Sequence, residues 1–195
     1  MQSPIDFFQS TVRSIYPQLE HEALDYFSSM LIHRKFKKKE VFIDLGQWHN
    51  EIGFLAEGFM RGYYLNEKGD EMTTKIVDRG NFATQYSAFV YQRKSQYCFQ
   101  CLEDCVLLCI QYDDLQQAYK LYPDLEKLGR LVAESIIDIL EKRSESFQFM
   151  NAEERYVDFL NRFPGLMNKI SVNHLSSYLG VRRPSLSRIR RKIAS

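Results

Sequence analysis

The residues between 182 and 192 carry a dense set of positive charges. Five arginines and one lysine lie in this stretch, and the sequence has no aspartate or glutamate from Phe159 onward. Guanidinium groups of this kind hydrogen bond well to phosphate oxygens and to the edges of guanine bases. The stretch therefore predicts a site that binds a polyanion.

The charge is divided unevenly between the two parts of the chain. The full sequence has 195 residues and a net charge of +1. Residues 150–195 hold nine basic and three acidic side chains, so that they carry +6 and the first 149 residues carry −5. A basic end on an acidic body restricts the expected polyanion contact to that end.

Two short helices separated by a glycine are predicted in the basic end. Ser171 is the expected cap of the first helix, Gly180 supplies the turn, and Pro184 suits the first turn of the second helix. An apolar inner face is expected to consist of Leu175, Leu179, Val181, Leu186, Ile189 and Ile193. Helix, glycine turn and helix in close succession predict a helix-turn-helix that binds double-stranded DNA.

The geometry of the second helix separates the roles of its polar residues. Arg183 and Ser187 lie four residues apart near its start, and Arg188 beside them can contact guanine through two hydrogen bonds. The basic residues further along, from Arg190 to Lys192, are expected to contact phosphates. A solvated basic face with no partner is the alternative. The residues predicted to contact DNA are Arg183, Ser185, Ser187, Arg188, Arg191, Ser171 and Asn173.

Four cysteines crowd into one short segment at positions 98, 101, 105 and 109. The segment predicts two strands with a turn at "LED", and the alternation of side chains places Cys98 and Cys101 on opposite faces. That arrangement is poor for a metal held by four sulfur atoms. Buried, reduced thiols are expected, with a redox role left open.

The elements that position these residues follow from periodicity and turn signals. Residues 3–29 predict helix with a break at Pro17. From about Phe36 to Tyr112, short apolar runs are separated by glycine turns, and "NEKGDE" is a hairpin signal. This pattern predicts an antiparallel β-roll of the jelly-roll kind, and therefore an α+β fold.

A long helix is predicted to join the two parts of the chain. Its apolar stripe runs from Leu125 through Leu128 and Val132 to Ile139 and Leu140, and it extends further than a roll alone could cover. We therefore expect a homodimer, with packing on its own domain as the alternative. The predicted division is a sensor roll at 1–122, a dimerisation helix at 123–150 and a DNA-binding domain at 151–195.

The final segment "YLGVRRPSLSRIRRKI" resembles the helix-turn-helix of the cAMP receptor protein and fumarate–nitrate regulator (Crp/Fnr) superfamily. The nearest similarity is to the branch common in Bacteroidetes. "IGFLAEGFMRGYYLNEKGDEMTTKIV" and "LEDCVLLCIQYDDL" resemble parts of the cyclic-nucleotide-binding-like roll of that superfamily. The resemblance implies a dimeric transcription regulator in which Arg188 is the characteristic recognition arginine. Pro184 replaces a glutamate that reads cytosine in many relatives, so a different half-site is expected.

The resemblance also implies where an effector would bind, and there the sequence departs from the pattern. Thr84 and Gln85 stand where relatives that bind cyclic nucleotide have Gly-Glu, and Ser95 and Gln96 stand where they have Arg-Ser. Unless a register slip brings Arg93 or Lys94 inward, no cation meets a cyclic phosphate. An effector other than cAMP, or none, is therefore expected. The candidate effector pocket consists of Thr84, Gln85, Tyr86, Ser95 and Gln96.

The aromatic residues around this region have two possible roles. They either fill the roll or surround an apolar or aromatic effector that the sequence does not identify. The residues in question are Phe82, Tyr86, Phe89, Tyr91, Tyr97 and Phe99.

Other classes of function find little support in the sequence. No nucleophile elbow, phosphate loop or clustered metal motif is present, so an enzyme is not expected. No cofactor is predicted, although His21, His33 and His49 are available as haem ligands. No apolar run approaches the roughly 18 residues of a membrane span, and a cytoplasmic protein without a membrane partner is expected. A ligand-binding roll that no longer binds DNA is the alternative function.

Overall fold

The computed structural model describes residues 2–194 of the chain. Helices and strands are mixed, which confirms the predicted α+β class. The elements are α1 (Pro4–Ile15), α2 (His21–Ser29), β1 (Ile32–Phe36), β2 (Val41–Ile43), β3 (Glu51–Glu57), β4 (Met60–Leu65), β5 (Glu71–Val77), β6 (Phe82–Ala83), α3 (Tyr86–Val90), β7 (Cys98–Cys101), β8 (Cys105–Gln111), α4 (Tyr112–Leu121), α5 (Pro123–Phe149), α6 (Ala152–Arg162), α7 (Val172–Leu179) and α8 (Arg183–Ala194).

Two helices precede the strands, and the break between them falls at the predicted proline. A capping box starts α1, because Asp6 N donates to Ser3 Oγ (3.1 Å) and Ser3 N donates to Asp6 Oδ2 (3.3 Å). The helix ends two residues before Pro17. The ring of Phe8 packs edge-on against Phe54 of β3, with the ring centroids 5.1 Å apart. The first helix is thereby fixed to the sheet behind it.

The strands form the predicted antiparallel roll from two four-stranded sheets. The strand orders are β1-β8-β3-β6 and β2-β7-β4-β5, with antiparallel pairing throughout. The hairpin predicted from "NEKGDE" joins β4 to β5. Its turn is closed by Asn66 N donating to the Asp70 carbonyl (3.0 Å), and Gly69 takes a φ of +80° that few other residues accept.

Apolar side chains and three of the cysteines fill the space between the two sheets. All four cysteines are buried and unbridged, in agreement with the prediction. Burial raises the pKa of Cys98, and that of Cys109 to about 12, so neither thiol is activated as a nucleophile. Residues 2–194 contain no group of three or more His, Cys, Asp or Glu side chains that could hold a metal.

The long helix α5 divides into two parts with different surroundings. In its first half, Leu125, Leu128 and Val132 are buried against the outer face of the β1-β8-β3-β6 sheet, together with side chains of α1, α2 and α4. In its second half, the apolar residues are exposed, with Ile137 at 53% and Leu140 at 46%. The predicted stripe is therefore only half covered by its own chain. Among residues 2–194, no helix is long and apolar enough to cross a membrane.

Three further helices form a small unit with its own core. Asn151 caps α6, because its Oδ1 accepts from Glu153 N (2.9 Å) and Glu154 N (3.1 Å). Leu102 of the roll joins this core, so the unit is docked on the roll. The other buried members are Tyr156, Phe159, Phe163, Leu166, Ile170, Leu175, Tyr178, Leu179, Leu186 and Ile189.

One residue of the predicted inner face lies outside it. Ile193 is 41% exposed, so its assignment to the inner face is wrong. Ile193 lies one turn beyond Ile189, the last residue of α8 among the buried core residues that the structure describes.

Candidate nucleic-acid interface and ligand cavities

The outward side of α8 carries arginines that have no acidic partner. Arg183, Arg188 and Arg191 are exposed, and their side chains form no salt bridge or hydrogen bond with the residues that the structure describes. Ser187 is exposed beside them, and its hydroxyl donates to the Arg183 carbonyl one turn earlier (3.2 Å). Ser185 is half-buried. The three guanidinium groups are therefore available to an external anion.

Two other basic residues of α8 differ from the expectation that they face a phosphate. Arg190 is half-buried, and its Nε is buried without a hydrogen-bond partner in the described part of the chain. Lys192 forms an ion pair with Glu153 of α6, with Nζ 2.6 Å from Oε2. Such an exposed pair contributes little stability but does hold the ammonium group near α6. The phosphate role predicted for this part of α8 therefore falls mainly to Arg191.

The remaining predicted DNA-contacting residues lie at the start of α7. Ser171 caps the helix as predicted, because its Oγ accepts from His174 N (3.1 Å). Ser171 and Asn173 are exposed. The hydroxyl of Ser171 keeps its own hydrogen to donate, and the side-chain amide of Asn173 offers two more donors. Both residues can therefore contact a phosphate.

The turn between α7 and α8 is held in place by the end of α5. Gly180 supplies the predicted turn, with φ +66° and ψ +35° in the left-handed region. A Cβ at this position would lie 2.6 Å from Cε1 of Phe147, so a larger residue requires that ring to move. Arg143 stacks on the ring of Tyr178 (3.9 Å) and donates to its carbonyl (2.5 Å). The long helix is thus joined directly to the turn that positions α8.

The roll contacts the same helical unit through β5. Thr73 N donates to Ser177 Oγ of α7 (3.1 Å). Beneath this contact Arg61 is 1% exposed and forms an ion pair with Glu71. His174 Nε2 lies 3.7 Å from Glu71 Oε2. Burial and the neighbouring Arg61 lower the pKa of His174 to about 4, with Glu71 opposing them, so this histidine is neutral at pH 7.

Four of the five predicted effector-pocket residues lie close together, and three of them hydrogen bond to one another. Thr84, Gln85 and Ser95 are buried, whereas Gln96 is exposed and contributes its backbone N. The Oε1 of Gln85 accepts from Ser95 Oγ (3.1 Å) and from Gln96 N (2.7 Å). Both lone pairs of that oxygen are therefore in use. The Thr84 hydroxyl lies 2.8 Å from Nε2 of His49. We call these five residues, including His49, the polar cluster.

His49 was not predicted as a member of this group. It is 2% exposed, and its Nε2 also accepts from Gln85 N (3.3 Å). Burial, and then the nearby charge of Lys75, lowers the pKa of His49 to about 4. A neutral ring with Nε2 as acceptor is what these contacts require. The isolated histidine in "QWHNE" gave no periodic signal that it would be buried.

Lys75 is a cation close to the predicted pocket that the sequence analysis did not identify. Its Nζ lies 5.3 Å from the ring centroid of Tyr97 and 5.7 Å from that of Phe99, and it donates to the Thr84 carbonyl (3.4 Å). No carboxylate of the described residues pairs with it, and burial lowers its pKa. Lys75 lies two residues before the buried Val77 on β5, and residues two apart on a strand share a face, so its inward direction could have been predicted.

A cavity of about 350 Å³ lies beside Lys75, between the roll and the inner side of α5. We call it the basic cavity. Arg143 and Arg162 line it together with Lys75, and Asp78 is the one acidic residue among the lining residues. Of the predicted pocket residues, only Thr84 reaches its wall. The cavity therefore suits a negatively charged molecule better than a positively charged one.

The aromatic residues do not fill the roll as a group. Phe99 lies in the roll interior, and Tyr97 packs against it. Phe89 is buried on the opposite side of the sheet, in the cluster formed with the helices, and Phe82 packs there too. Tyr86 lies at the start of α3 and lines a second cavity outside the roll, so it is not part of the polar cluster. Tyr91 is 65% exposed.

The structure combines a β-roll with a long helix and a docked helical unit. Residues 33–122 match the protein family described as "Cyclic nucleotide-binding domain". The match covers both sheets of the roll from β1 onward, together with α3 and α4. No curated protein is significantly similar to the sequence.

Solved structures share the fold over most of the chain. The c-di-GMP-responsive global regulator CLP of Xanthomonas campestris superposes with a TM-score of 0.71 at 15% identity, covering 90% of this chain and 92% of that one. FixK2 of Bradyrhizobium japonicum gives 0.71 at 15% identity, with 84% of each chain covered. A Eubacterium rectale protein assigned to the Crp/Fnr family gives 0.72 at 17% identity, covering 92% of this chain and 86% of that one. At these identities the similarity establishes the fold.

Proposed function

We propose that the chain is a homodimeric, sequence-specific DNA-binding transcription regulator of the Crp/Fnr type, in the branch common in Bacteroidetes. One observation carries the proposal: Arg183, Arg188 and Arg191 are exposed, without acidic partners among residues 2–194, on a helix fixed by the buried Leu186 and Ile189. Solubility alone does not require three arginines to lie together on one face of one helix. The division into 1–122, 123–150 and 151–195 matches three roles: sensing, dimerisation and DNA binding.

In this proposal α7 and α8 form a helix-turn-helix, with α8 in the major groove of DNA. Arg188, with Arg183 and Ser187 beside it, contacts base edges, and Arg188 is suited to the O6 and N7 atoms of guanine. Ser185, Arg191, Ser171 and Asn173 contact the phosphate backbone and set the orientation. Pro184 is exposed at the start of α8 and has no side-chain acceptor, so it reads no base by hydrogen bonding.

The proposed dimer forms through the second half of α5. Ile137, Ile139 and Leu140 are exposed apolar residues on a helix whose first half is already packed against the roll, and Ile139 and Leu140 also line the basic cavity. Two such helices, side by side, bury these residues against each other. A two-fold dimer would then present two copies of α8 to half-sites about 34 Å apart along the duplex.

The proposed effector of the roll is a molecule other than cAMP, or the protein has none. A ribose hydroxyl needs a free acceptor, whereas the Gln85 carbonyl is neutral and already accepts two hydrogen bonds. Lys75 could neutralise one negative charge at the basic cavity, where Arg143 and Arg162 add to the positive potential. A calorimetric titration with cAMP is therefore expected to show no binding.

The proposal is tested by selecting genomic DNA fragments with the purified protein at low salt and sequencing those retained. We expect enrichment of a two-fold symmetric sequence. The Arg183→Ala/Arg188→Ala double variant should lose the enrichment, and Lys68→Ala, which removes an exposed charge in the β4–β5 turn, should keep it. If the wild-type protein retains no fragment at low salt, the proposal is wrong and a roll that only binds a ligand takes its place.

A further inference from the structure

A second cavity of about 260 Å³ lies outside the roll, between the outer face of its sheet and the surrounding helices. We call it the apolar cavity. Phe54 and Leu108 form the sheet side, Phe8 closes it from α1, and Leu128 and Val132 close it from α5. No member of the polar cluster lines this cavity, although the ring of His49 packs edge-on against the lining residue Phe89, with the ring centroids 5.8 Å apart.

The lining of the apolar cavity carries no charged side chain among the described residues. Its polar groups are the side chain of Gln116 and the hydroxyls of three tyrosines, at positions 86, 112 and 119. Burial raises the pKa of Tyr86 and of Tyr119, so both hydroxyls stay protonated and can donate. Neither hydroxyl has a hydrogen-bond partner within the described part of the chain. The lining therefore complements a neutral molecule with one acceptor group.

The size of the apolar cavity argues for an occupant. A cavity of roughly 150 Å³ with a similar lining accommodates a benzene ring. Larger apolar cavities destabilise a protein in proportion to their volume when they stay empty. Gly129 contributes to the same wall, because a Cβ there would lie 2.0 Å from the Tyr119 hydroxyl oxygen. A glycine inside a helix lowers its stability, and here it keeps room for the tyrosine at the cavity wall.

We propose that the apolar cavity is a ligand site for one neutral, hydrocarbon-rich small molecule, either a short aliphatic chain or one or two aromatic rings, with a hydroxyl or carbonyl group facing the tyrosines. The ligand would touch α5 at Gly129 and Val132, one turn before the basic cavity begins. Phe82 lines both cavities and separates them. This site does not depend on DNA binding.

The test uses N-phenyl-1-naphthylamine, a neutral dye that fluoresces in apolar surroundings. Val90 lines the rim of the cavity and is 38% exposed, so Val90→Phe fills space without replacing a core residue. Val41 lies on β2, away from the cavity, and is 37% exposed, which makes Val41→Phe the matched control. We expect saturable binding of one dye per chain, weakened roughly tenfold in Val90→Phe and changed less than about twofold in Val41→Phe.

Other results would overturn the proposal. The proposal is wrong if the wild-type protein shows no saturable binding of the dye, or if the two phenylalanine variants bind the dye equally well. Loss of dye binding in Ile137→Glu would place the dye on the outer face of α5 instead. If Val90→Phe does not fold, diffraction from wild-type crystals under xenon decides the matter. Xenon density next to Leu128 supports the site, and its absence there contradicts it.

Discussion

A neutral His49 holds the polar cluster together, so acidification should destabilise the roll through this one residue. Its Nε2 accepts from Gln85 N and lies 2.8 Å from the Thr84 hydroxyl, and a proton on that nitrogen would remove the acceptor. Burial lowers the pKa of His49 from 6.5 to about 4. Between these values the unfolded chain binds a proton that the folded chain does not. The stability from His49 is therefore present above pH 6.5 and is lost as the pH falls towards 4.

The difference between these pKa values means that His49 contributes about 3 kcal/mol to the free energy of unfolding, all of which is lost once the pH is below both values. By pH 5, about 2 kcal/mol of it should be gone. The change that tests this is His49→Gln, which keeps a carbonyl acceptor for Gln85 N and does not titrate. His33→Gln is the matched control, because His33 lies exposed on β1.

The assay is urea unfolding of the three proteins at neutral pH and at pH 5. The wild type and His33→Gln should lose about 2 kcal/mol more stability than His49→Gln on acidification. Contributions from other groups, including His174, are common to all three proteins and cancel in the comparison. Equal acid sensitivity of the wild type and His49→Gln would refute the reasoning.

Three further substitutions test the fold and the dimer. Gly180→Ala should destabilise the C-terminal helices by about 1–2 kcal/mol from its left-handed backbone, plus the cost of the contact with Phe147. Gly69→Ala has a similar φ in open space and should show the backbone cost alone in the same unfolding experiment. Asn151→Ala should cost about 1 kcal/mol through loss of the α6 cap, whereas Asn161→Ala, at an exposed position near the end of that helix, should cost little in urea unfolding. Ile137→Glu should convert the dimer into a monomer by light scattering, and Leu121→Glu, at a comparable exposure on α4, should not.

Elements with a local chemical signal could be predicted from the sequence. The Ser171 cap, the break at Pro17 and the turn at Gly180 each depend on the properties of one or two neighbouring residues. The hairpin at "NEKGDE" belongs to the same group. Each of these is decided within a few residues, before distant parts of the chain meet.

Features that depend on distant contacts could not be predicted. Phe82 and Phe89 were expected near the roll interior, yet they pack outside it, against helices that are distant in the sequence. The burial of Arg190 and the pairing of Lys192 with Glu153 depend on where α6 lies. Lys75 is an exception, because its position two residues before Val77 on β5 already indicated that it shares the inward face of the strand.

For the candidate DNA-contacting residues, the sequence indicated which side chains are exposed but not what they bind. Arg183, Ser187 and Arg188 lie on the outer side of α8, as the apolar spacing of Leu186 and Ile189 requires. Their base contacts stay a prediction. The polar cluster was predicted in outline through Thr84, Gln85, Ser95 and Gln96, but its own hydrogen bonds, and the buried His49 between them, needed three dimensions.

The most direct measurement of the central proposal is the ratio of affinities for a selected operator and for a scrambled duplex, at one fixed salt concentration. Arg188→Ala should reduce this ratio by roughly tenfold or more, because it removes a contact to a base edge. Arg191→Ala should weaken binding to both duplexes alike, and Lys68→Ala should change neither. A wild-type protein that does not distinguish the two duplexes, or an Arg188→Ala variant that keeps the full ratio, would contradict the account.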